Sequence, residues 1–127
     1  KARLITANEI ATITGNTAWN ETTASPYDWY YFDTNTSTAS PTCKSENTTG
    51  CSYGWLYDRT STSCTTYGCL NNSDVETNGY WTASSLAGDS GIAWYVRPGG
   101  RVFTDLASYS DRYGVRPVIT ISKSKLS

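Results

Sequence analysis

Four cysteines in the middle of the chain constrain its folding more than any other feature. Cys43, Cys51, Cys64 and Cys69 lie in sequence rich in Thr, Ser, Asn and Gly, and no two of them have the Cys-x2-Cys spacing that zinc sites favour. The chain also contains no His, a common zinc ligand. The pattern predicts two disulfides and therefore an oxidising, extracellular location. Of the three possible connectivities, we expect the two sequence-local pairs, Cys43–Cys51 and Cys64–Cys69.

Length and charge restrict the classes of function. At 127 residues the chain has the size of one domain, spanning 1–127. The net charge is -1, the pI is about 5.2 and the mean hydropathy is -0.47, so no basic surface is available for nucleic acid or anionic membranes. No stretch approaches the roughly 20 apolar residues of a transmembrane helix. We expect a segment that does not enter a membrane and that belongs to a longer, anchored surface protein.

The N-terminal segment carries several helix signals that agree. Thr6 and Glu9 have the spacing of a capping box, and Gly15 is a natural stop. These signals predict a helix over Ala7–Thr14. Its core-facing side chains are predicted to be Ile10 and Ile13.

The last third of the chain has the pattern of an antiparallel sheet. The predicted strands are Gly79–Ser84, Gly91–Val96, Arg101–Thr104 and Tyr113–Ser122. Within the last of them, Val115, Ile119 and Ile121 are β-branched and alternate, and Pro117 marks an edge, a bulge or the entry to the strand. With an early helix, a loop-rich middle over 16–78 and a late sheet, the predicted class is α+β.

The order of these segments resembles one branch of the C-type lectin-like fold, which includes formylglycine-generating-enzyme-like domains and many bacterial surface domains. The resemblance rests on Tyr80-Trp-Thr-Ala-Ser, Ala93-Trp-Tyr-Val, the Gly-Gly turn, the closing Gly114-Val-Arg-Pro-Val and the opening Arg3-Leu-Ile-Thr-x-x-Glu helix. It covers both ends of the chain, whereas the middle matches only in character. It implies a ligand-binding domain. The formylglycine-generating enzymes need reactive cysteines near the substrate groove, whereas the cysteines here lie upstream in predicted structural loops, so we do not expect that activity.

A narrower resemblance is to the variable proteins of bacterial diversity-generating retroelements, which display domains of this kind. In that family, substitutions at adenine-rich codons accumulate over one C-terminal stretch that lines the ligand-binding face. The stretch Arg97 to Tyr113 lies between two of the motifs above, and nearly all its residues are ones that such codons reach. The resemblance implies a hypervariable face there. The alternative is an ordinary polar loop over 104–112.

Residues that carry common catalytic or metal chemistry are absent or poorly placed. Without His, imidazole acid–base catalysis is excluded. The Glu-Pro-Asn, Gln-Pro-Asp and Trp-Asn-Asp motifs of calcium-dependent sugar-binding lectins do not occur. Asp74 and Glu76 offer oxygen ligands for weak calcium binding, but a solvated acidic loop is the expected state. We expect no enzymatic activity, no cofactor and no metal. For Arg116 we expect hydrogen bonds to loop carbonyls rather than ligand contact.

The predicted binding face has the composition of a paratope, with Tyr, Trp and Arg among small polar residues. The predicted ligand-contacting residues are Trp81, Ser84, Arg97, Arg101, Phe103, Asp105, Tyr109, Asp111, Arg112 and Tyr113. We expect these side chains to lie outside the core, and Trp94 and Ile119 to lie within it. The expected partner is a protein or glycan on a cell or phage surface. The alternative function is a structural envelope or pilus-tip subunit domain without a ligand of its own.

Overall fold

A computed structural model of the protein describes residues 1–33, 50–57, 79–97, 99–109 and 113–126. Within these residues the predicted α+β class is confirmed, because helices accompany strands that pair antiparallel. The elements in chain order are β1 (Arg3–Leu4), α1 (Ala7–Ile13), β2 (Tyr30–Tyr31), α2 (Gly54–Tyr57), β3 (Tyr80–Leu86), β4 (Asp89–Arg97), β5 (Arg101–Leu106), β6 (Pro117–Val118) and a 3₁₀ turn at Lys123–Lys125.

Two antiparallel sheets organise this part of the chain. The larger has the strand order β2-β5-β4-β3, and the smaller pairs β1 with β6. Three predicted strands correspond to β3, β4 and β5, which are each longer than expected. The sequence interpretation missed β2, because Tyr30–Tyr31 lies in an unbroken aromatic run without the alternation that marks a strand.

The core lies between helix α1 and one side of the larger sheet. Alternate residues of β3 are buried, beginning with Tyr80. Trp94 and Val96 of β4 and Val102 of β5 are fully buried on the same side. Trp19 packs edge-on against Trp94, with ring centroids 4.8 Å apart. One side of the larger sheet therefore packs against the core, and its other side faces away from the core.

The predicted helix is confirmed to within one residue at its C-terminal end. Thr6 accepts a hydrogen bond from the Glu9 amide at 3.1 Å, and the Glu9 carboxylate accepts one from the Thr6 amide at 2.8 Å, which completes the capping box. Gly15 follows with φ of +78°, a backbone conformation that glycine adopts without strain. The prediction that Ile13 faces the core is wrong, since its side chain is 44% exposed. The buried stripe is Ala7, Ile10 and Ala11, and at 3.6 residues per turn position 13 falls on its flank.

The predicted strand Tyr113–Ser122 is wrong over most of its length. Pro117 and Val118 pair with Leu4 and Arg3, and Gly114 forms a single parallel bridge with Tyr80. Val115, Ile119 and Ile121 are 68%, 63% and 50% exposed, so the expectation that Ile119 belongs to the core is also wrong. Alternating β-branched residues indicate a strand with a covered face, but β6 has only a two-residue partner strand. Pro117 begins β6, as predicted for a residue without an amide donor.

Candidate ligand-binding face

The side of the larger sheet that faces away from the core carries three rows of side chains. Residues directly opposite each other in antiparallel strands point to the same side, so the strand register defines the rows. They are Tyr31–Arg101–Arg97, then Phe103–Tyr95–Trp81, then Asp105–Ala93–Ser85. We call this surface, together with Trp29, the outer face.

Arg101 lies at the centre of an aromatic cluster at one end of the outer face. Its guanidinium carbon is 4.7 Å from the ring centroids of both Trp29 and Phe103, and 5.5 Å from that of Tyr31. Arg97, directly opposite on β4, is 6.0 Å from the centroid of Phe103. Contacts of this kind attract a cation to the ring face and hold a long side chain in one orientation.

A ladder of aromatic rings extends from this cluster across the sheet. Phe103 meets Tyr95 at a centroid distance of 6.1 Å, and Tyr95 meets Trp81 at the same distance. Trp29 continues the ladder on the other side, 6.3 Å from Phe103. The ladder therefore crosses all four strands, about 15 Å at the usual spacing between strands.

Tyr113 covers the far end of the ladder and fixes Asp105. Its ring centroid is 4.1 Å from that of Tyr95 and 4.7 Å from that of Trp81. Its hydroxyl donates a hydrogen bond to the Asp105 carboxylate. Burial raises the pKa of Tyr113, and the hydrogen bond to Asp105 raises it further. The phenol therefore stays protonated at neutral pH and remains a donor to Asp105.

Gly100, in the turn between β4 and β5 next to the two arginines, packs against Tyr57 and Asp33. Gly100 has φ of +79°, and a Cβ there would lie 3.0 Å from the Tyr57 ring and 3.1 Å from Cβ of Asp33. Only glycine fits this close approach without displacing its neighbours. The buried Asp33 carboxylate accepts hydrogen bonds at 3.1 Å from the Tyr57 hydroxyl and from the Tyr53 amide. A rigid support therefore lies under Arg97 and Arg101.

The structure brings five of the ten predicted contact residues together as members of the outer face. They are Trp81, Arg97, Arg101, Phe103 and Asp105. Tyr109 follows the end of β5, where its amide donates to the Leu106 carbonyl at 3.0 Å. Asp111 and Arg112 lie outside the described residues.

The expectation that all these side chains lie outside the core is wrong for Ser84 and Tyr113. Tyr113 is 8% exposed because it packs on the aromatic ladder. Ser84 is 5% exposed and lies on the opposite, core-facing side of β3. Its hydroxyl accepts a hydrogen bond from the Ala7 amide at 2.9 Å and donates one to Glu21. Ser84 thus joins the sheet to the start of helix α1.

Sequence reasoning missed the small residues Ala93 and Ser85 and three aromatic members of the outer face. Trp29 and Tyr31 come from β2 and the residue before it, far along the chain from the predicted stretch. Tyr95 lies in a predicted strand next to the buried Trp94. Alternation alone indicates that Tyr95 and Trp94 face opposite sides of the sheet. The sequence could therefore have predicted Tyr95 as a member of the outer face. No sequence signal indicates that β2 pairs with β5.

A second surface feature is a groove of about 560 Å³ between helix α1 and strand β6. Its apolar walls include Ile13, Trp55 and Ile119, all of them exposed. The two charged residues at the groove, Arg3 and Glu9, form a salt bridge with each other at 2.5 Å. The groove therefore offers apolar surface but no unpaired charge to orient a ligand.

Three further predictions concern Arg116, the disulfide pairings and the acidic residues Asp74 and Glu76. Arg116 donates to the Leu56 carbonyl at 3.0 Å, so it bonds a backbone carbonyl as expected, although this carbonyl belongs to helix α2 and not to a loop. Cys51 is disulfide-bonded, but the pairings Cys43–Cys51 and Cys64–Cys69 involve residues outside the described ranges. Asp74 and Glu76 also lie outside them.

Neither a metal centre nor a membrane span is found in the part of the chain that the structure describes. No three His, Cys, Asp or Glu side chains there come together in a group able to hold a metal ion. No helix in the same residues is both long and apolar enough to cross a bilayer.

No family model, curated protein or solved structure matches the chain.

Proposed function

We propose that this protein is an extracellular ligand-binding domain and that the outer face is its binding surface. The observation that carries the proposal is the aromatic and arginine ladder on the side of the sheet opposite the core. Tyr, Trp and Arg are the residues that most often dominate binding energy at protein interfaces. A sheet holds them at defined spacings, so little conformational entropy is lost on binding.

The rigid support under the ladder favours binding over a purely structural role. Cation–π contacts hold Arg101, and Gly100 packs closely on the Tyr57 ring and on Asp33. Most of the ladder is only half-buried, so its rings and guanidinium groups are accessible to a partner. Preorganised aromatic and arginine side chains with partial exposure are typical of binding hot spots.

We further propose that the domain has the C-type lectin-like fold and belongs with the variable proteins of diversity-generating retroelements. Strand β5 makes this proposal more specific. Arg101, Phe103 and Asp105 point to the outer face, whereas Val102 between them is fully buried. Copies of the domain from one genome are expected to differ at the three outward positions and to keep a small apolar residue at 102. Variation that ignores this alternation contradicts the proposal.

Binding is tested with a triple variant of the outer face on glycan and protein arrays. Replacing Arg97, Arg101 and Phe103 with Ser removes two charges and one ring without replacing any buried residue. We expect the variant to lose the array signals of the parent chain. Its midpoint of thermal unfolding should change little, because these side chains lie outside the core.

A matched control removes the same number of positive charges and of apolar side chains from another exposed surface. Lys123, Lys125 and Ile121 are all exposed, so replacing them with Ser also removes two positive charges and one apolar side chain. This control should bind like the parent. If the outer-face variant also binds like the parent, the outer face is not the binding surface and the structural-subunit alternative is favoured.

A further inference from the structure

The outer face contains two positive charges that form no salt bridge with any residue the structure describes. Arg97 and Arg101 lie directly opposite each other on β4 and β5, and both are partly buried. Like charges at directly opposite positions of an antiparallel pair destabilise a sheet. In the described part of the chain, neither guanidinium forms a salt bridge. The free protein therefore keeps an unfavourable charge pair on the surface proposed to bind a ligand.

The two arginines are oriented by ring contacts, which use the faces of the guanidinium groups and not their N–H edges. Rings contact the guanidinium groups at 4.7 Å for Arg101, on both Trp29 and Phe103, and at 6.0 Å for Arg97 on Phe103. A guanidinium that stacks on a ring still presents the edge of its planar fork, with its N–H groups, to an acceptor. Neither fork donates a hydrogen bond to any residue that the structure describes.

We propose that Arg97 and Arg101 together bind one carboxylate, an Asp or Glu side chain of a protein ligand. A carboxylate accepts two parallel hydrogen bonds from a guanidinium fork, which makes this pairing both strong and directional. Its negative charge also removes the repulsion between the two arginines. The inference rests on the proposed function, because it names the chemistry that the same outer face recognises.

A single carboxylate fits the outer face better than a polyanion does. Asp105 lies on the same side of β5, two residues beyond Phe103, and its carboxylate accepts the Tyr113 hydroxyl. A sulfated glycan or a nucleic acid lying along the ladder would be repelled there, and the net charge of -1 gives no wider attraction. The aromatic ladder of about 15 Å also suits the contact area of a protein surface.

The first test measures binding of the anion alone. The full chain, labelled with ¹⁵N in its arginines, is titrated with sodium acetate, with sodium sulfate and with sodium chloride at equal ionic strength. We expect the Nε–Hε signals of Arg97 and Arg101 to shift saturably with acetate and not with chloride. A response to acetate no different from that to chloride overturns the proposal, and tighter binding of sulfate would favour a sulfated glycan instead.

Two variants separate the arginine fork from charge alone. R97K/R101K keeps both charges but removes the planar forks, and it should lose the saturable response to acetate, followed through backbone amide signals of β4 and β5. K123Q/K125Q removes two positive charges from an exposed turn and should retain the response of the parent. If R97K/R101K binds acetate like the parent, bidentate recognition is wrong.

The second test uses peptide arrays in which each Asp- or Glu-containing peptide has an Asn or Gln twin. We expect the parent to prefer the acidic member by about tenfold or more, the contribution of a hydrogen bond between charged groups. R97Q/R101Q should lose this preference, and K123Q/K125Q should keep it. Peptides that need the outer face but show no preference overturn the inference and leave the proposed function standing. If no array ligand depends on the outer face, the proposed function fails as well.

Discussion

At the scale of single residues, the side of a strand decides what a side chain does. Ser84 and Ser85 are adjacent and chemically identical, yet Ser84 is buried and Ser85 is exposed. The Ser84 hydroxyl joins the Ala7 amide to Glu21, and the Asn8 amide donates to the same Glu21 carboxylate at 2.9 Å. These contacts provide acceptors for amide groups in the first turn of α1. Such amides have no acceptor within the helix itself. Ser84 is therefore a structural residue rather than a contact residue.

The Ser84→Ala substitution tests this assignment. Because it leaves the buried Ala7 amide without its acceptor and removes one of the two donors to the Glu21 carboxylate, it should lower the free energy of unfolding by about 1–3 kcal/mol. The neighbouring Ser85→Ala substitution should change it by less than about 0.5 kcal/mol. Urea denaturation measures both. Equal effects of the two substitutions, or loss of array binding in Ser84→Ala without loss of stability, would contradict the assignment.

A second residue-scale prediction concerns pH and Glu9. The Arg3 guanidinium and then the Thr6 amide hold the pKa of the Glu9 carboxyl at about 2, below its ordinary value of 4.5. Since the folded state favours the ionised form, the stabilisation is present above about pH 4.5 and is lost as the pH falls towards 2. The effect is small, because the ion pair is largely exposed to solvent.

The measurement compares the unfolding midpoints of the parent and of Glu9→Gln across this pH range. The parent should be the more stable protein at neutral pH, and its advantage should shrink between pH 4.5 and 2. Titration of the remaining carboxylates is common to both proteins and cancels in the comparison. A constant difference across the range would show that ionisation of Glu9 does not support the capping box.

At the scale of elements, the same residue type has opposite roles in α1 and after β6. Ile10 is fully buried on the inner stripe of the helix. Ile119 follows β6 and is exposed at the apolar groove. The helix is covered because it packs on a four-stranded sheet. Strand β6 pairs with β1 and packs against the core through Val118, but Ile119 beyond it is not covered by any residue that the structure describes.

The matched substitutions Ile10→Ala and Ile119→Ala make this contrast measurable. Loss of the buried side chain leaves a cavity and should lower the free energy of unfolding by about 2–5 kcal/mol. Loss of the exposed side chain should change it by less than about 0.5 kcal/mol. Chemical denaturation reports both values. A large effect of Ile119→Ala would mean that the segment after β6 is covered in solution.

At the scale of the whole molecule, the fold joins segments that lie far apart in the sequence. Strands β3, β4 and β5 follow one another closely, but β2 and helix α2 join them from distant parts of the chain. Asp33 links these parts, since it follows β2 and accepts hydrogen bonds from residues of the α2 region. Cys51, which is disulfide-bonded, lies just before α2.

Peptide mapping under non-reducing conditions should recover Cys43–Cys51 and Cys64–Cys69. Each link closes a short loop, so reduction of either should lower the free energy of unfolding by an amount on the order of 2–3 kcal/mol. Thermal unfolding with and without reductant measures the combined effect. Recovery of a Cys43–Cys69 or Cys51–Cys64 peptide would show that the sequence-local pairing is wrong.

The sequence by itself determined the elements whose signals are local. The capping box at Thr6 and Glu9 and the stop at Gly15 define α1, because each acts within a few residues of the backbone. Alternation and turn residues likewise indicated β3, β4 and β5, and the aromatic and arginine content of β5 indicated a binding surface.

Only the tertiary structure decided which strands are neighbours and which surfaces are covered. It placed Trp29 and Tyr31 beside Arg101, turned Ser84 into the core and left Ile119 exposed. These outcomes depend on contacts between distant parts of the chain, and a local pattern specifies that a strand has two faces without specifying what covers either one. Trp29 and Tyr31 join the outer face because β2 pairs with β5, and no local signal in the sequence predicts that pairing.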